Sequence, residues 1–284
     1  MAQILSGKEV AAQLTAHLTE EVEKLKQQGI VPKLALVRIG EHLSDVRYEK
    51  SAKNRCAKIG IATESYVLPP EASQDQLVAV IRQINNDASI HGCLIFRPFP
   101  PSFDDAYVRS CLDPRKDVDG ITDTSLSGLF TGSFTGFTPC TAAACMHILD
   151  TYRIPVTGKD VVVIGASLVI GRPVAMEFLK REATVSICHI KTKDVKHYCQ
   201  QADIIVAAAG HAGLVTRDMV KPGQVIIDVG INATPQGTLC GDVDFAAVSP
   251  VVAAITPVPG GVGSVTTSVL ASHVIRAAQL QTQK

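Results

Sequence analysis

Val161-Val-Val-Ile-Gly165-Ala-Ser-Leu-Val-Ile-Gly171-Arg-Pro173 is the stretch on which the reading of this chain turns. Its opening run, Val161 to Ile164, is β-branched and apolar, too short for a helix, and reads as a strand buried on both faces. Gly165 at the strand's end lets the backbone turn tightly and approach a ligand closely. Pro173 suits the first turn of the helix that follows, because an N–H there would have no partner. A strand, a glycine turn and a helix N-terminus in that order aim unpaired N–H groups and a positive dipole end at one point. That is how α/β folds hold the diphosphate of a dinucleotide. The pattern is not the strict G-x-G-x-x-G, since Ser167 stands at its middle position, and a tight turn in any α/β sheet shares its local features.

Downstream, 183–189 reads as the next strand, followed by a helix near 193–200 and strands at Ile204–Ala208 and Gln224–Val229. An NAD-binding fold places an acidic residue about 20 positions beyond the glycine turn, on the ribose hydroxyls. Here the neighbourhood is Cys188-His-Ile-Lys-Thr-Lys193, with no carboxylate before Asp194. Lys191 and Lys193 suit the extra 2′-phosphate of NADP, though they also read as solvated loop lysines. NADP is the favoured dinucleotide and NAD the alternative. Upstream, the periodicity predicts helices over 7–28, 44–59 and 74–86, with strands at Lys33–Gly40, Ala62–Leu68 and His91–Phe96. Strands alternating with helices mean βαβ units and a parallel sheet. Residues 113–141, rich in Asp, Gly, Thr and Ser, read as a long irregular connection. A helix follows over 141–152, and another over 266–281 closes the chain.

With 284 residues, 46% of them hydrophobic and 19% charged, the chain has enough for two packed domains. Lys plus Arg equals Asp plus Glu at 27 each. No overall basic field exists to attract nucleic acid or an anionic membrane. No apolar run approaches the roughly 20 residues of a membrane-spanning helix. The start Met-Ala-Gln-Ile-Leu-Ser-Gly-Lys has neither the charge nor the apolar core of a secretory signal, which makes a cytoplasmic protein the expectation. The eight cysteines include no Cys-x-x-Cys pair, so reduced, mostly buried thiols fit better than disulfides or a metal site.

Two further segments carry chemistry. Thr256-Pro-Val-Pro-Gly-Gly-Val-Gly263 cannot join a helix interior or a central strand, and its backbone lets a flat ligand lie close. Lys116-Asp-Val-Asp-Gly120 offers two carboxylates at i and i+2, short of the ligands a calcium loop needs. Asp against an amide-bearing ligand is the better use, with a plain Asp-Gly turn as the alternative. Tyr48 lies on the helix over 44–59. Its i+4 position is Ala52, while Lys53 at i+5 is about 140° around the helix from it.

These motifs, with Thr138-Pro-Cys-Thr141, Ile227-Asp-Val-Gly-Ile-Asn232 and Gly241-Asp-Val, occur in the order of one family. The chain resembles the bifunctional methylenetetrahydrofolate dehydrogenase/methenyltetrahydrofolate cyclohydrolase family over essentially its whole length. The resemblance implies an α/β protein of two domains with a cleft between them. An N-terminal βαβ folate-binding catalytic domain (1–142 plus 266–284) would accompany a Rossmann-like NAD(P)-binding domain (143–265). It implies tetrahydrofolate derivatives as ligands and a homodimer as the assembly. It also implies oxidation of 5,10-methylenetetrahydrofolate followed by hydration to 10-formyltetrahydrofolate. Position by position, Asp119 matches the family's pterin-binding aspartate and Tyr48 the tyrosine lining the folate site. Gly165, Ala166 and Ser167 match the turn at the cofactor phosphates. Ile190 and Lys191 fall at the far end of that cofactor, Ile231 on its nicotinamide side, and Pro257, Gly260 and Gly261 in the loop beside the folate.

The chain also departs from the family. The pattern Tyr-x-x-x-Lys becomes Tyr48-Glu-Lys-Ser-Ala52, in ungapped register from Gly40 to Gly60. Lys53 is then the better candidate for the missing catalytic amine, ahead of Lys50, and reaching the site would require a one-residue bulge and a compensating deletion before Gly60. The glutamine that tunes that lysine is replaced by Phe96, Ala142 stands where proline is usual, and Ser264-Val265 where Pro-Met is usual. The losses fall on the folate side. The expectation is an NADP-linked dehydrogenase whose cyclohydrolase step is weak or lost. The alternatives are a non-catalytic folate- or dinucleotide-binding paralogue and an NADP-dependent oxidoreductase of another substrate.

Overall fold

The computed structural model describes residues 2–133, 135–234 and 236–282. Met1, Phe134, Pro235, Gln283 and Lys284, which fall within ranges assigned from sequence, lie outside the described residues. The first elements are β1 (Gln3–Ile4), α1 (Gly7–Gln27), β2 (Lys33–Ile39), α2 (Leu43–Ile59), β3 (Ala62–Leu68), α3 (Gln74–Asn86) and β4 (Gly92–Ile95). Next come α4 (Asp105–Ser110), α5 (Asp123–Thr131), α6 (Cys140–Thr151), β5 (Asp160–Ile164), α7 (Gly171–Lys180), β6 (Thr184–Cys188), α8 (Val195–Gln201), β7 (Ile204–Ala207) and β8 (Val225–Asp228). The last are β9 (Asn232–Ala233), β10 (Leu239–Cys240), α9 (Phe245–Val248), β11 (Ala254–Ile255) and α10 (Thr266–Thr282).

The elements fall into two compact units, one of Met1–Ala12 with Thr141–Thr266, the other of Gln13–Cys140 with Thr267–Lys284. The first is built on a six-stranded sheet of order β1-β11-β8-β7-β5-β6, parallel throughout. The chain lays down β1 at one edge, returns at β5, steps to the other edge at β6, then crosses back to β7 on the other side of β5. The strand order therefore reverses between β5 and β7, the position at which open α/β sheets bind ligands beyond their strand ends. Val162, Ile164, Ile205, Ala207, Ile226 and Ile255 pack one side of this sheet with Cys199, Val243 and Val248.

The second unit repeats the logic on a three-stranded parallel sheet of order β3-β2-β4. Its reversal lies between β2 and β4. Ala35, Val37, Cys93 and Ile95 pack there against Leu77, Val78, Ile81 and Ile84 of α3. Local signals set its helix ends. Gly60 stops α2 at φ +94°, and Ser73 with Gln76 forms a capping box on α3.

Three readings from sequence change. Residues 1–142 were grouped together, but Met1–Ala12 cluster with Thr141–Thr266. The cause is β1, a two-residue edge strand pairing Gln3 with Ala254 and Ile4 with Ile255. Residues 113–141 are not all irregular, since they contain α5, started by the Thr122 hydroxyl accepting the Ser125 N–H at 3.2 Å. The helix predicted from Pro173 starts at Gly171 and ends at Lys180. Among the described residues no helix is long and apolar enough to cross a membrane. All eight cysteines are free, six of them buried.

Candidate active site

The turn after β5 has the geometry its glycines foretell. Gly165 adopts φ +125°, and a Cβ there would overlap the Ala208 carbonyl beyond β7. A Cβ on Gly171 would overlap the Gly165 carbonyl, so only glycine lets α7 pack against the turn. The Ser167 hydroxyl accepts the Ile170 N–H at 3.1 Å, and Arg172 Nε donates to the Ala166 carbonyl at 2.9 Å. No side chain caps the first turn of α7 at Ile170. Gly165, Ala166 and Ser167 thus line a close-approach turn at the strand-order reversal, beside a helix N-terminus, which fits a diphosphate.

Beyond β6, the His189 N–H donates to Thr192 Oγ1 at 2.9 Å and the Lys191 N–H to His189 Nδ1 at 3.1 Å. This closes a turn that leaves Ile190 96% exposed. Lys191 and Lys193 are exposed as well. Asp194, the first carboxylate after β6, accepts the His197 N–H at 3.0 Å as the N-cap of α8. The first carboxylate after β6 thus caps a helix through Oδ1, and two ammonium groups stand at the strand end before it.

In the same unit a pocket of about 210 Å³ is bounded by Asp228–Ile231 on one side and Pro257–Ser264 on the other. It brings together Ile231, Pro257, Gly260 and Gly261, which the sequence reading had divided between cofactor and substrate. Gly260 holds φ +105°, and a Cβ on Gly7 would overlap the Gly261 carbonyl. The Gly7 N–H donates to the Gly260 carbonyl at 2.9 Å, so the start of α1 braces this loop.

In the second unit, α2 presents Tyr48, half-buried, with its ring edge-on to Phe96 at a centroid distance of 6.0 Å and an interplanar angle of 81°. Ala52, one turn on, is fully buried. Lys53 does not join them. Helix α2 runs without a bulge from Leu43 to Ile59, and Lys53 Nζ lies 2.7 Å from Glu49 Oε1. Glu49 is itself buried and also takes Arg38 Nε at 2.6 Å and the Ser65 hydroxyl. Burial pushes its carboxyl up, but the bonds from Lys53, Ser65 and Arg38 outweigh it and hold the pKa at about 2. Sequence reasoning missed Glu49. Its i,i+4 spacing to Lys53 was the available signal.

The Lys116–Gly120 run divides its work. Lys116 Nζ donates to the Ile84 and Asp87 carbonyls, both at 2.7 Å, closing the end of α3. Asp117, fully buried, accepts the N–H groups of Ile121 and Thr122 and the hydroxyls of Thr122 and Ser125. Asp119 is half-buried, and its hydrogen-bonding neighbour is the Cys140 thiol. Burial and the nearby Asp117 push the Asp119 carboxyl up to about 6, against the pull of Cys140 and Arg97. Of the two carboxylates, Asp119 is the one left for a ligand. A separate cavity of about 580 Å³ opens at the ends of β2 and β4, with Phe96, Phe99 and Pro70 as walls and Glu41, His42 and Asp45 on its lining. No group of three or more His, Cys, Asp or Glu among the described residues could hold a metal.

The first unit has the parallel sheet with its strand-order reversal and the glycine turn of a Rossmann-like dinucleotide-binding protein. The chain belongs to the tetrahydrofolate dehydrogenase/cyclohydrolase family: the catalytic-domain model matches residues 5–119 and the NAD(P)-binding-domain model residues 139–282. It is similar to the bifunctional protein FolD of Carboxydothermus hydrogenoformans, 47% identical over 282 residues that cover 99% of this chain and 98% of the relative. Among solved structures, the bifunctional FolD methylenetetrahydrofolate dehydrogenase/cyclohydrolase of Campylobacter jejuni is 40% identical. It has a TM-score of 0.97 and covers 99% of each chain. The Trypanosoma brucei N5,N10-methylenetetrahydrofolate dehydrogenase-cyclohydrolase, complexed with NADP and an inhibitor, is 32% identical at TM-score 0.95, covering 100% of this chain and 99% of that one.

Proposed function

We propose that this chain oxidises 5,10-methylenetetrahydrofolate to 5,10-methenyltetrahydrofolate with NADP, and that its hydrolysis of the methenyl product is weak or absent. One observation carries the second half. The face of α2 that bears Tyr48 continues into buried Ala52 and meets Phe96, while Lys53, the residue after Ala52, is held by Glu49.

The residues present suit NADP: the close-approach turn at Gly165–Ser167, the uncapped start of α7, and exposed Lys191 and Lys193 ahead of the first carboxylate, Asp194, which caps α8. Bound there, NADP would accept a hydride from the one-carbon bridge of the folate. The protein's part in that step is orientation. In the second unit Asp119, as carboxylate, accepts the N–H donors of the pterin and the Tyr48 ring packs on the ligand; in the first unit the backbone at Pro257, Gly260 and Gly261 suits a flat ligand lying close to it. Hydrolysis makes a different demand. Water adds to the methenyl carbon and must lose a proton, and the departing ring nitrogen must gain one. That calls for a titratable group within hydrogen-bond reach. A methyl group at 52 and a phenyl ring at 96 carry no such proton.

Two assays test the reading on the purified chain. The first follows methenyltetrahydrofolate formed from the methylene compound with NADP or NAD. The second follows loss of added methenyltetrahydrofolate above the buffer rate. Formation with NADP and no enzymatic hydrolysis is the expected result, and Ala52→Lys combined with Phe96→Gln should raise hydrolysis. Rapid hydrolysis by the unaltered chain would overturn the proposal, and binding of both ligands without turnover would make the chain a binding paralogue. The same reading makes it a cytoplasmic homodimer, and a sedimenting species of 30.2 kDa, the single-chain mass, would refute the dimer.

A further inference from the structure

Two buried carboxylates stand behind the dinucleotide side of the first unit without facing any cation among their hydrogen-bond partners. Asp242 is fully buried: Oδ2 accepts the N–H groups of Ala209 at 2.6 Å and Gly210 at 2.8 Å, and Oδ1 accepts Asn232 Nδ2 at 2.9 Å. Asp228, at the end of β8, is 3% exposed: Oδ1 accepts the N–H groups of Gly230 and Asp242, and Oδ2 that of Val243, all at 3.0 Å. Their glycine neighbours are obligatory. A Cβ on Gly230 would overlap the Asp242 carboxylate, and one on Gly241 the Asp228 carboxylate.

From this arrangement we infer that Asp228 and Asp242 are positioning residues for dinucleotide binding, tying the loops after β7 and β8 into one wall of the cofactor site. The chain of contact is continuous. Ala208 abuts Gly165 at the phosphate turn, Ala209 and Gly210 hang on Asp242, Asp242 hangs on Asp228, and Asp228 holds Gly230 beside Ile231. The inference rests on the proposed reading of Gly165–Ser167 and Ile231 as the cofactor site. A carboxylate suits this task because all of its lone pairs accept, and here every oxygen faces an N–H donor.

The donors also grade the two positions. Both oxygens of Asp228 face backbone N–H groups, so Asp228→Asn must set an amide N–H against one of them. Asp242→Asn can turn its amide toward Asn232, whose own amide flips to present its carbonyl. Thr256, which positions the loop beside the folate, bonds the main chain of Asp228 (N–H to Oγ1, 2.7 Å) and is spared by either change.

Calorimetric titration of the full chain with NADP, and separately with the unreactive 5-formyltetrahydrofolate, tests the inference. Asp228→Asn should weaken NADP about tenfold or more, and Asp242→Asn less than about threefold, with folate affinity falling less than NADP affinity in each. The Asp228→Asn deficit relative to the unaltered chain should shrink as pH falls through about 6. Burial raises the Asp228 carboxyl to that value against the pull of its backbone donors, with Asp242 the charged group facing it. Protonation then imposes on the unaltered chain the loss that asparagine imposes at every pH. Unchanged NADP affinity in Asp228→Asn, or parallel loss of both ligands, would overturn the clamp. Should that variant fail to fold, Asn232→Leu carries the test, with about a threefold loss for NADP alone expected and no loss overturning it. An unaltered chain that binds folate but no dinucleotide would instead overturn the reading of the site on which the clamp depends.

Discussion

Asp119 and Glu49 are carboxylates of one unit shifted in opposite directions, and each shift has a measurable consequence. Asp119 is raised to about 6 by burial, and in the proposed role it has to be ionised to accept N–H groups of the ligand. Catalytic efficiency toward the folate should therefore fall as pH drops through about 6, well above an ordinary aspartate's range. Asp119→Asn should abolish that acidic limb and lower kcat/KM at pH 7 by about a hundredfold or more, read from initial rates between pH 5 and 8. Glu49 behaves in the reverse sense. Its folded pKa of about 2 lies below the ordinary 4.5, so it contributes stability that is fully present above pH 4.5 and lost as pH falls toward 2. Glu49→Gln should cost about 2 kcal/mol in urea unfolding at pH 7, and the gap to the unaltered chain should close on acidification. A constant gap from pH 7 to 3 would show that Glu49 acts through packing rather than charge. Sequence could identify Asp119 by its motif. It could not show that Asp117, two residues away, is fully engaged by the turn at 121–125, because that depends on where Thr122 and Ser125 fold back.

The elements legible in the sequence are those whose signals are local. Helix α2 and its stop at Gly60, α3 with its Ser73 cap, and β5 with its unbroken apolar run over 161–164 follow from period and capping alone. Helix α4, with 6 residues, and strands β1, β9, β10 and β11, with 2 each, are too short to show any period. Tertiary pairing makes them. Helix α5 was missed for a related reason: its start is set by a hydroxyl, Thr122, inside a stretch whose composition reads as loop. At the β5–α7 junction the local reading was right about the turn and late about the helix, because the Pro173 signal admits a start upstream. This element yields a sharp expectation. Gly165→Ala places a methyl group against the Ala208 carbonyl at φ +125°, a conformation that disfavours any L side chain by about 1–2 kcal/mol before the overlap is counted. NADP binding by calorimetry should fall at least tenfold with little change in folate binding, since neither Gly165 nor Ala208 lines the pocket at Pro257–Gly261. Retained NADP affinity would mean that the dinucleotide does not use this turn.

Over the whole molecule, the chain's first dozen residues are where sequence and structure part most clearly. The family resemblance groups them with the residues up to 142, yet β1 closes the edge of the sheet built by 141–266. There the Gln3 N–H donates to the Ala253 carbonyl at 2.8 Å and the Leu5 N–H to Ile255 at 2.9 Å. Leu5 is fully buried. A β-strand of 2 residues earns little from its hydrogen bonds, so burial of Leu5 and the brace of Gly7 on the Gly260 carbonyl carry the attachment. Leu5→Ala should then destabilise the protein by about 2–4 kcal/mol, the range for emptying a buried leucine site. Removing residues 2–5 should do more: it exposes β11 as a new sheet edge and frees the 256–263 loop from its support at Gly7. Differential scanning calorimetry with and without NADP separates these effects. Loss of the leucine alone should lower Tm while keeping the stabilisation that NADP gives through binding the folded state. Loss of residues 2–5 should lower Tm further and shrink that NADP-dependent rise, because Ile231 and the 256–263 loop share one pocket. An undiminished NADP response in the truncated chain would separate β1 from the cofactor site and leave it a purely structural edge.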